Sequence, residues 1–533
     1  MSTMKGIYVL IAVLLWLLNL HVGRGLLNKP HVRLSIQSTA RLTRSSSRSS
    51  SSSRRFRSPS ASRMHMHKTK KVDADVEAFN PEVLAILTVY FVQGSLGLAR
   101  LATSYYMKDT LHLSPADMAN IGGITTLPWV IKPLYGFLSD GFPLFGYRRR
   151  SYLVLAGLIG CLSWLTLGLD YAQGTNALIA FIALGSASVA VSDVVVDSVV
   201  VERSREGQGE AGELQSLCWG AASVGGILSA YFSGSLLTTM SPQQVFTITS
   251  VFPLLISASS LLIQEKRIES VAAESAAVPM LGEAGLERKD GSEVSSMETI
   301  KRQLGGLYET LKQPSIFLPV LFVFGWQATP DPGAAMFYFN TNELGFTPAF
   351  LGQVRLASCV ASLGGVLIYR TLLKDWSIKD VIFWTTLWSI PLGLSQVLLT
   401  THLNRDLGIP DQAFMLSDSV VLSVLGQVAF MPTLVLAAKL CPPGSEGALF
   451  ASLMSIYNLA GTAASELGSL LTGYLGVVDG NYDNLTLLVV VCSLSGALPL
   501  LFIGLLDEAN AGDVKAGSDP EQEALSLDVE RRD

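Results

Sequence analysis

The sequence predicts an all-α membrane protein with twelve transmembrane helices in two six-helix bundles, and three observations carry that expectation. Only 15% of the 533 residues are charged, against about a quarter in a soluble domain, and mean hydropathy is +0.41. The apolar residues come in blocks of about 20, enough for a helix rising 1.5 Å per residue to cross a hydrocarbon core of roughly 30 Å. The blocks lack the apolar–polar alternation of β-barrel strands. Spanning structures exposed to lipid must satisfy their own backbone groups, which leaves helices.

The chain opens on a leader. Lys5 precedes Ile7–Leu20, an apolar run too short for a comfortable span and suited to a signal peptide, with small residues following at Gly23 and Gly25. Arg41–Arg63 is rich in Arg and Ser and has too little apolar surface to fold. Residues 1–72 hold 14 Lys or Arg and no acid, which leaves 24 basic against 43 acidic residues in the remainder, a net of −19. The basic excess is thus a property of the leader and is no signal for nucleic acid. A signal-like segment (1–25) followed by a transit-like segment (26–72) is similar to the two-part leaders of algae with complex plastids. The alternatives are a single transit peptide, or an N-terminal anchor followed by a disordered arm.

Helical blocks follow at 82–107, 116–138, 151–170, 177–201, 213–238 and 243–263, then at 314–340, 349–372, 378–400, 414–439, 446–476 and 482–506. They define an N-terminal bundle (73–263), a charged linker (264–313), a C-terminal bundle (314–506) and an acidic tail (507–533). Basic residues gather at one set of block ends: Lys68, Lys70, Lys71, Arg148, Arg149, Arg150, Arg203, Arg205, Arg370, Lys374, Lys379 and Lys439. The opposite ends carry little beyond Lys108 and Arg405. Both termini and the linker are therefore expected on the positive side, cytosol or stroma. Val200–Gly226 parallels Leu436–Gly461: each leaves a helix, crosses a polar turn with Gly and Glu, and enters a helix rich in small residues, as internal repeats do.

The most informative block reads ALIAFIALGSASVAVSDVVVDSVVV (Ala177–Val201). Each carboxylate near mid-membrane costs about 2.5–3.5 kcal/mol on insertion scales, and a purely structural span has no use for two. Asp193 and Asp197 stand at i and i+4, on one helix face. That face is expected to meet protein or a watery path. Other intramembrane polar candidates are Arg100, Arg355, Asp331, Gln93, Gln327, Gln427 and Glu466. Pro330, Pro332 and Gly333 should break the seventh block around Asp331, and broken helices border transporter sites. Phe337, Tyr338 and Phe339 read first as core or interfacial aromatics, and second as a stacking platform.

TTLPWVIKPLYGFLSDGFPLFGYRRRSYL (Thr125–Leu153) resembles the loop between helices 2 and 3 of the major facilitator superfamily, with Gly136 and Asp140 followed by Arg148, Arg149 and Arg150. KPLYGFLSDGFPLFGYRRRSYL, SDVVVDSVVVERSR, GELQSLCWG and, in the second half, PTLVLAAKLCPPGSEGALFASLMS resemble the folate–biopterin transporter family over about residues 80–506. The resemblance implies a secondary carrier of folates or pterins, with the loop residues bracing the closed positive side. On that reading Arg100 and Arg355 hold anionic glutamate tails through paired hydrogen bonds. Asp193 and Asp197 accept bonds from the pterin, or carry a coupling proton. The structural alternatives are Arg–Asp pairs that only fix packing, and an Arg355 that reaches back to the outer surface.

Several function classes are excluded or disfavoured. The five cysteines, Cys161, Cys218, Cys359, Cys441 and Cys492, form no CxxC and no metal spacing. GxxxxGK[ST], zinc, flavin and nucleophile-elbow motifs are absent, so no cofactor and no ATP drive are expected. An intramembrane aspartyl protease would draw one Asp from each of two helices, and a Gly next to the second Asp, as in a GxGD element, is missing here, where Ser198 follows Asp197. A receptor of the same fold, and a carrier for S-adenosylmethionine or an amino-acid derivative, are the remaining rivals. The expected partners are a small-molecule folate or pterin, the bilayer and a coupling proton, with the protein a monomer in a plastid envelope or, alternatively, the plasma membrane.

Overall fold

In the computed structural model, residues 81–171, 174–206, 211–265, 267, 305–306, 308–440 and 446–507 are described. The signal-like and transit-like segments, most of the 264–313 linker, the tail beyond 507 and Cys441 lie outside the described residues. Among the described residues there is no strand, only two isolated bridges, Leu144–Tyr147 and Val478–Asn481.

The helices are α1 Pro81–Ser95, α2 Leu98–Tyr105, α3 Pro115–Val130, α4 Lys132–Gly141, α5 Arg150–Gly168, α6 Thr175–Glu206, α7 Ala211–Leu236, α8 Pro242–Thr249 and α9 Val251–Ser260. After the linker come α10 Pro314–Gln327, α11 Gly333–Tyr338, α12 Pro348–Ile368, α13 Ile378–Thr400, α14 Leu403–Asp406, α15 Asp411–Lys439, α16 Glu446–Tyr474 and α17 Leu485–Ser495, with a 3-10 segment over Leu498–Leu506. Their starts are written in the sequence. Ser114 and Ser241 close reciprocal caps with Asp117 and Gln244, and Thr347 and Ser377 accept from the backbone N–H three residues on. Pro115, Pro242 and Pro348 sit in the first turn, where a missing N–H costs nothing.

The breaks have equally local causes. Pro133 cannot donate to the turn before it, and the chain leaves helix at Ile131 between α3 and α4. Pro330 and Pro332 keep 328–332 non-helical between α10 and α11, as expected from the sequence. Among the described residues, seven segments are long and apolar enough to cross a membrane: Pro81–Thr110, Arg150–Gly168, Thr175–Val200, Pro348–Leu373, Ile378–Thr400, Asp411–Ala437 and Leu485–Leu506. The chain is thus a multi-pass membrane protein. The difference from twelve has physical reasons. The α3/α4, α8/α9 and α10/α11 blocks are interrupted, while Gly, Ala and Ser dilute the hydropathy of the long helices α7 and α16.

Packing is organised in layers. Near the Arg148–Arg150 end of the first half, Ile86, Val89 and Tyr90 pack on Tyr152, Leu153, Val195, Val196 and Val199. Toward the opposite end, Leu98, Ala102 and Tyr106 pack on Met118, Trp164, Leu178 and Phe246, and Tyr338 of the second half joins them. The second half repeats the pattern, with Ile316, Phe322, Ile382, Leu449 and Leu453 in one layer and Ala335, Phe339, Leu399, Leu485 and Leu488 in the other. The halves meet where α3 lies on α16 and α7 on α12. Glycines permit the tightest approaches: a Cβ on Gly234 of α7 would stand 2.8 Å from Gly352 Cα of α12.

Within the first half, Gly94 of α1 faces α7 with no room for a side chain. A Cβ there would lie 2.6 Å from Gly226 N and closer still to the Ala222 carbonyl. Gly94→Val should therefore cost about 1–3 kcal/mol or more, read as a lowered thermal midpoint of the detergent-purified protein. An unchanged midpoint would contradict this helix contact.

Candidate functional site

Counted at 1.5 Å per residue from Thr175, Asp193 lies about 27 Å and Asp197 about 33 Å along α6. The two carboxylates lie past the midpoint of α6, which runs from Thr175 to Glu206. Each has a protein partner. Lys132 Nζ at the start of α4 donates to Asp193 Oδ2, and both side chains are largely buried, at 14% and 13% exposure. Lys132 also lies 5.1 Å from the centroid of the Trp129 ring. The buried hydroxyl of Tyr90 on α1 donates to Asp197 Oδ1. The pair is thus built into the contact of α1, α4 and α6, within the apolar layer of Val195, Val196 and Tyr90.

The arginines lie toward the other end, where the halves meet. Arg355 on α12 donates from Nη1 to the Gly97 carbonyl at 2.6 Å, in the break between α1 and α2. Gly97 is where the guanidinium needs space: a Cβ there would stand 2.6 Å from Arg355 Nη2. Arg100, one turn further along, is exposed, and its charge is close enough to Arg355 for the two to repel. Among the described residues neither has a carboxylate within salt-bridge distance. This is a concentrated positive charge at a seam between helices.

Asp331 stands in the α10/α11 break. Its Oδ1 accepts from Gly333 N at 3.1 Å, and its backbone N–H donates to Ala464 O of α16 at 3.3 Å. Asp331 and Gln327 line a cavity of about 410 Å³ within the second half, with Trp326, Thr386, Ser389 and Ser465 in the wall. Gln93 has its Nε2 buried without a hydrogen bond among the described residues. Gln427 packs against Gly365 where α15 crosses α12. Six of the eight predicted site residues thus fall into three pairs, Asp193 with Asp197, Arg100 with Arg355, and Asp331 with Gln327, while Gln93 and Gln427 join none of them.

The loop at the basic end is braced. Arg149 Nη1 donates to Asp140 Oδ1 at 2.5 Å and to Ser139 Oγ at 3.2 Å. Glu265 accepts from the backbone N–H groups of Arg148, Arg149 and Arg150, at 2.5, 3.1 and 2.9 Å. A carboxylate there satisfies orphan donors and complements the positive end of α5. Arg150 lies 5.7 Å from the Tyr147 ring. Gly136 sets α4 against Val194 of α6.

At the far end the two halves are tied together. Lys108 donates to Asn342 at 2.8 Å, Asn342 donates to Asp479 at 2.5 Å, and Tyr338 donates to the Leu113 carbonyl. Ser465 and Ser469 on α16 donate to the carbonyls of Ala119 and Ala116 on α3, at 2.7 and 2.8 Å. The aromatic run joins this seam: Phe337 meets Tyr105 edge-on at 5.4 Å, while Tyr338 and Phe339 are buried.

Sequence reasoning passed over Lys132, Tyr90 and Asp418. The signal for Lys132 was available, a lysine inside an apolar block. Tyr90 carries no such signal. Asp418 is satisfied on α13 by Ser395 Oγ at 2.7 Å and Gln396 Nε2 at 3.3 Å.

Comparison with known proteins gives a consistent set. The BT1 family profile matches residues 93–523. A folate-biopterin transporter of Synechocystis sp. is 49% identical over 443 residues, covering 83% of this chain and 84% of the relative. Folate transporter 2 of Plasmodium falciparum is 31% identical over 443 residues, covering 82% and 90%. Among solved structures, the nucleoside transporter NupG aligns with TM-score 0.57 at 14% identity, covering 80% of this chain and 98% of that one. A D-xylose-proton symporter aligns with TM-score 0.57 at 12% identity, covering 79% and 96%. These structural likenesses fix the fold class and nothing finer.

The Lys132–Asp193 contact generates a double-mutant test. Removing one member of a buried ion pair costs about 3–5 kcal/mol, because a bare charge is left behind. Lys132→Met alone should therefore lower the thermal midpoint sharply, and Lys132→Met with Asp193→Asn should recover most of the loss. Additive losses in the double variant would show that the two side chains do not act as a pair.

Proposed function

The chain belongs to the BT1 family, and on that membership we propose that it is a secondary carrier of folates and pterins working by alternating access. Twelve spans form two six-helix bundles, 73–263 and 314–506, joined by the 264–313 linker. The bundles rock about a substrate path between them. The far-end ties, Lys108–Asn342–Asp479 and Tyr338–Leu113, hold the bundles together on the outer side. The path then opens toward the positive side, where Asp140, Arg149 and Glu265 brace the first bundle.

One observation carries the substrate reading: Arg100 and Arg355 converge at the seam, and among the described residues no carboxylate lies within salt-bridge distance of either. Two guanidinium groups that repel each other, Arg355 desolvated and Arg100 exposed, are stabilised by an anion between them. A folate tail offers carboxylates with the planar geometry that Arg binds through two parallel hydrogen bonds. The anion thus relieves the repulsion and draws the bundles together. Asp193 and Asp197 serve a different step. Their partners Lys132 and Tyr90 come from α4 and α1, so a proton taken up there loosens the positive-side layer and couples its opening to a pH gradient. The carrier acts as a monomer, and the leader delivers it to a plastid envelope.

Labelled-folate uptake into proteoliposomes tests this reading. The wild-type protein should accumulate folate, and Arg100→Ala should reduce uptake at least about tenfold, the loss of roughly 1.4 kcal/mol of anion binding, while its thermal midpoint stays within a few degrees. Unchanged uptake by Arg100→Ala would remove the arginine from the substrate path. Uptake of S-adenosylmethionine with no uptake of folate would overturn the substrate class.

A further inference from the structure

The cavity at the α10/α11 break has a chemistry opposite to that of the arginine pair. We propose that it is the subsite for the pterin head, with Asp331 and Gln327 reading the amino-pyrimidinone edge. This inference rests on the folate–pterin reading above. A carboxylate, a primary amide and hydroxyls face one space of about 410 Å³, and none of the residues lining it is Lys or Arg. That volume lies within the range of small-molecule sites, roughly 300–1,000 Å³.

The unused hydrogen-bonding capacity of the wall specifies the ligand. Asp331 Oδ1 accepts one bond, from Gly333 N, and Oδ2 accepts none among the described residues. An ionised carboxylate has about four acceptor sites and no donor, so each oxygen can take one further N–H. The amino-pyrimidinone edge of a pterin carries two neighbouring N–H donors, one on the ring and one on the exocyclic amine, spaced to meet both oxygens of one carboxylate. Gln327 carries no protein hydrogen bond among the described residues, and its amide can serve the remaining ring carbonyl and nitrogen. Trp326, fixed by a 2.8 Å bond from Nε1 to Thr386 Oγ1, supplies an aromatic wall.

The backbone fixes the geometry. Asp331 is held by the Gly333 and Ala464 contacts in a segment that Pro330 and Pro332 keep out of helix. Its carboxylate therefore stands in a preformed position. The acidic wall also repels the glutamate tail, so the two ends of a folate are sorted by charge, the head to Asp331 and the tail to the arginines. This makes Asp331 a determinant of specificity for the head.

Direct binding of two fragments to the detergent-purified full chain tests the assignment. The probes are pterin, which is head alone, and p-aminobenzoylglutamate, which is tail alone. Asp331→Asn should weaken pterin binding about tenfold or more, since an amide presents a donor where an acceptor is needed, and leave p-aminobenzoylglutamate within twofold. Arg100→Ala should give the reverse pattern. Gln327→Ala provides a second variant should Asp331→Asn fail to fold, with a several-fold loss for pterin alone expected. Equal weakening of both fragments, or unchanged pterin binding, overturns the subsite. Wild-type protein that takes up no folate overturns the carrier reading instead, so the two failures are distinguishable.

Discussion

A charge inside a membrane protein must be neutralised, hydrogen-bonded or given water, and this constraint orders the structure. Lys132 and Asp193 meet it by pairing inside the first half, Asp418 by accepting from Ser395 and Gln396, and Asp197 by accepting from Tyr90. Replacing such pairs with apolar groups is often neutral or stabilising. Their presence therefore argues for a role beyond holding helices together, and their place between α1, α4 and α6 suits a switch in the positive-side layer. Arg100 and Arg355 meet the constraint least well. They share a seam, repel each other, and among the described residues have one backbone carbonyl, that of Gly97, between them. On the proposed function, that imbalance is what an anion seated at the seam would relieve.

On the proposed function, the layered cores would let each half move as a body. Each half has apolar clusters toward both ends, and contact between halves relies on glycines and on side-chain hydrogen bonds to backbone carbonyls. Such contacts are made and broken without exposing large apolar surfaces. A fold that alternates between two closures requires seams of this kind. The far-end seam is formed here by α3 with α16 and α7 with α12.

Much of the fold was legible because helix starts, prolines and apolar blocks are local signals. The apolar blocks announced the helices, and Pro330 with Pro332 announced the break that places Asp331; the caps Ser114, Ser241, Thr347 and Ser377 are equally local but were recognised only in the structure. The leader and the linker were equally visible as composition, but they lie outside the described residues. What the sequence could not display was partnership. Asp193 and Asp197 stood out as costly charges, yet nothing local says that one faces Lys132, 61 positions away, and the other Tyr90, 107 positions away. For the same reason the candidates read as one site, and in space they form three pairs with Gln93 and Gln427 apart.

A structure of the full chain with bound folate is the decisive measurement. Ligand density should place its carboxylates between Arg100 and Arg355. Density that leaves both arginines bare, with the glutamate end elsewhere, would contradict it.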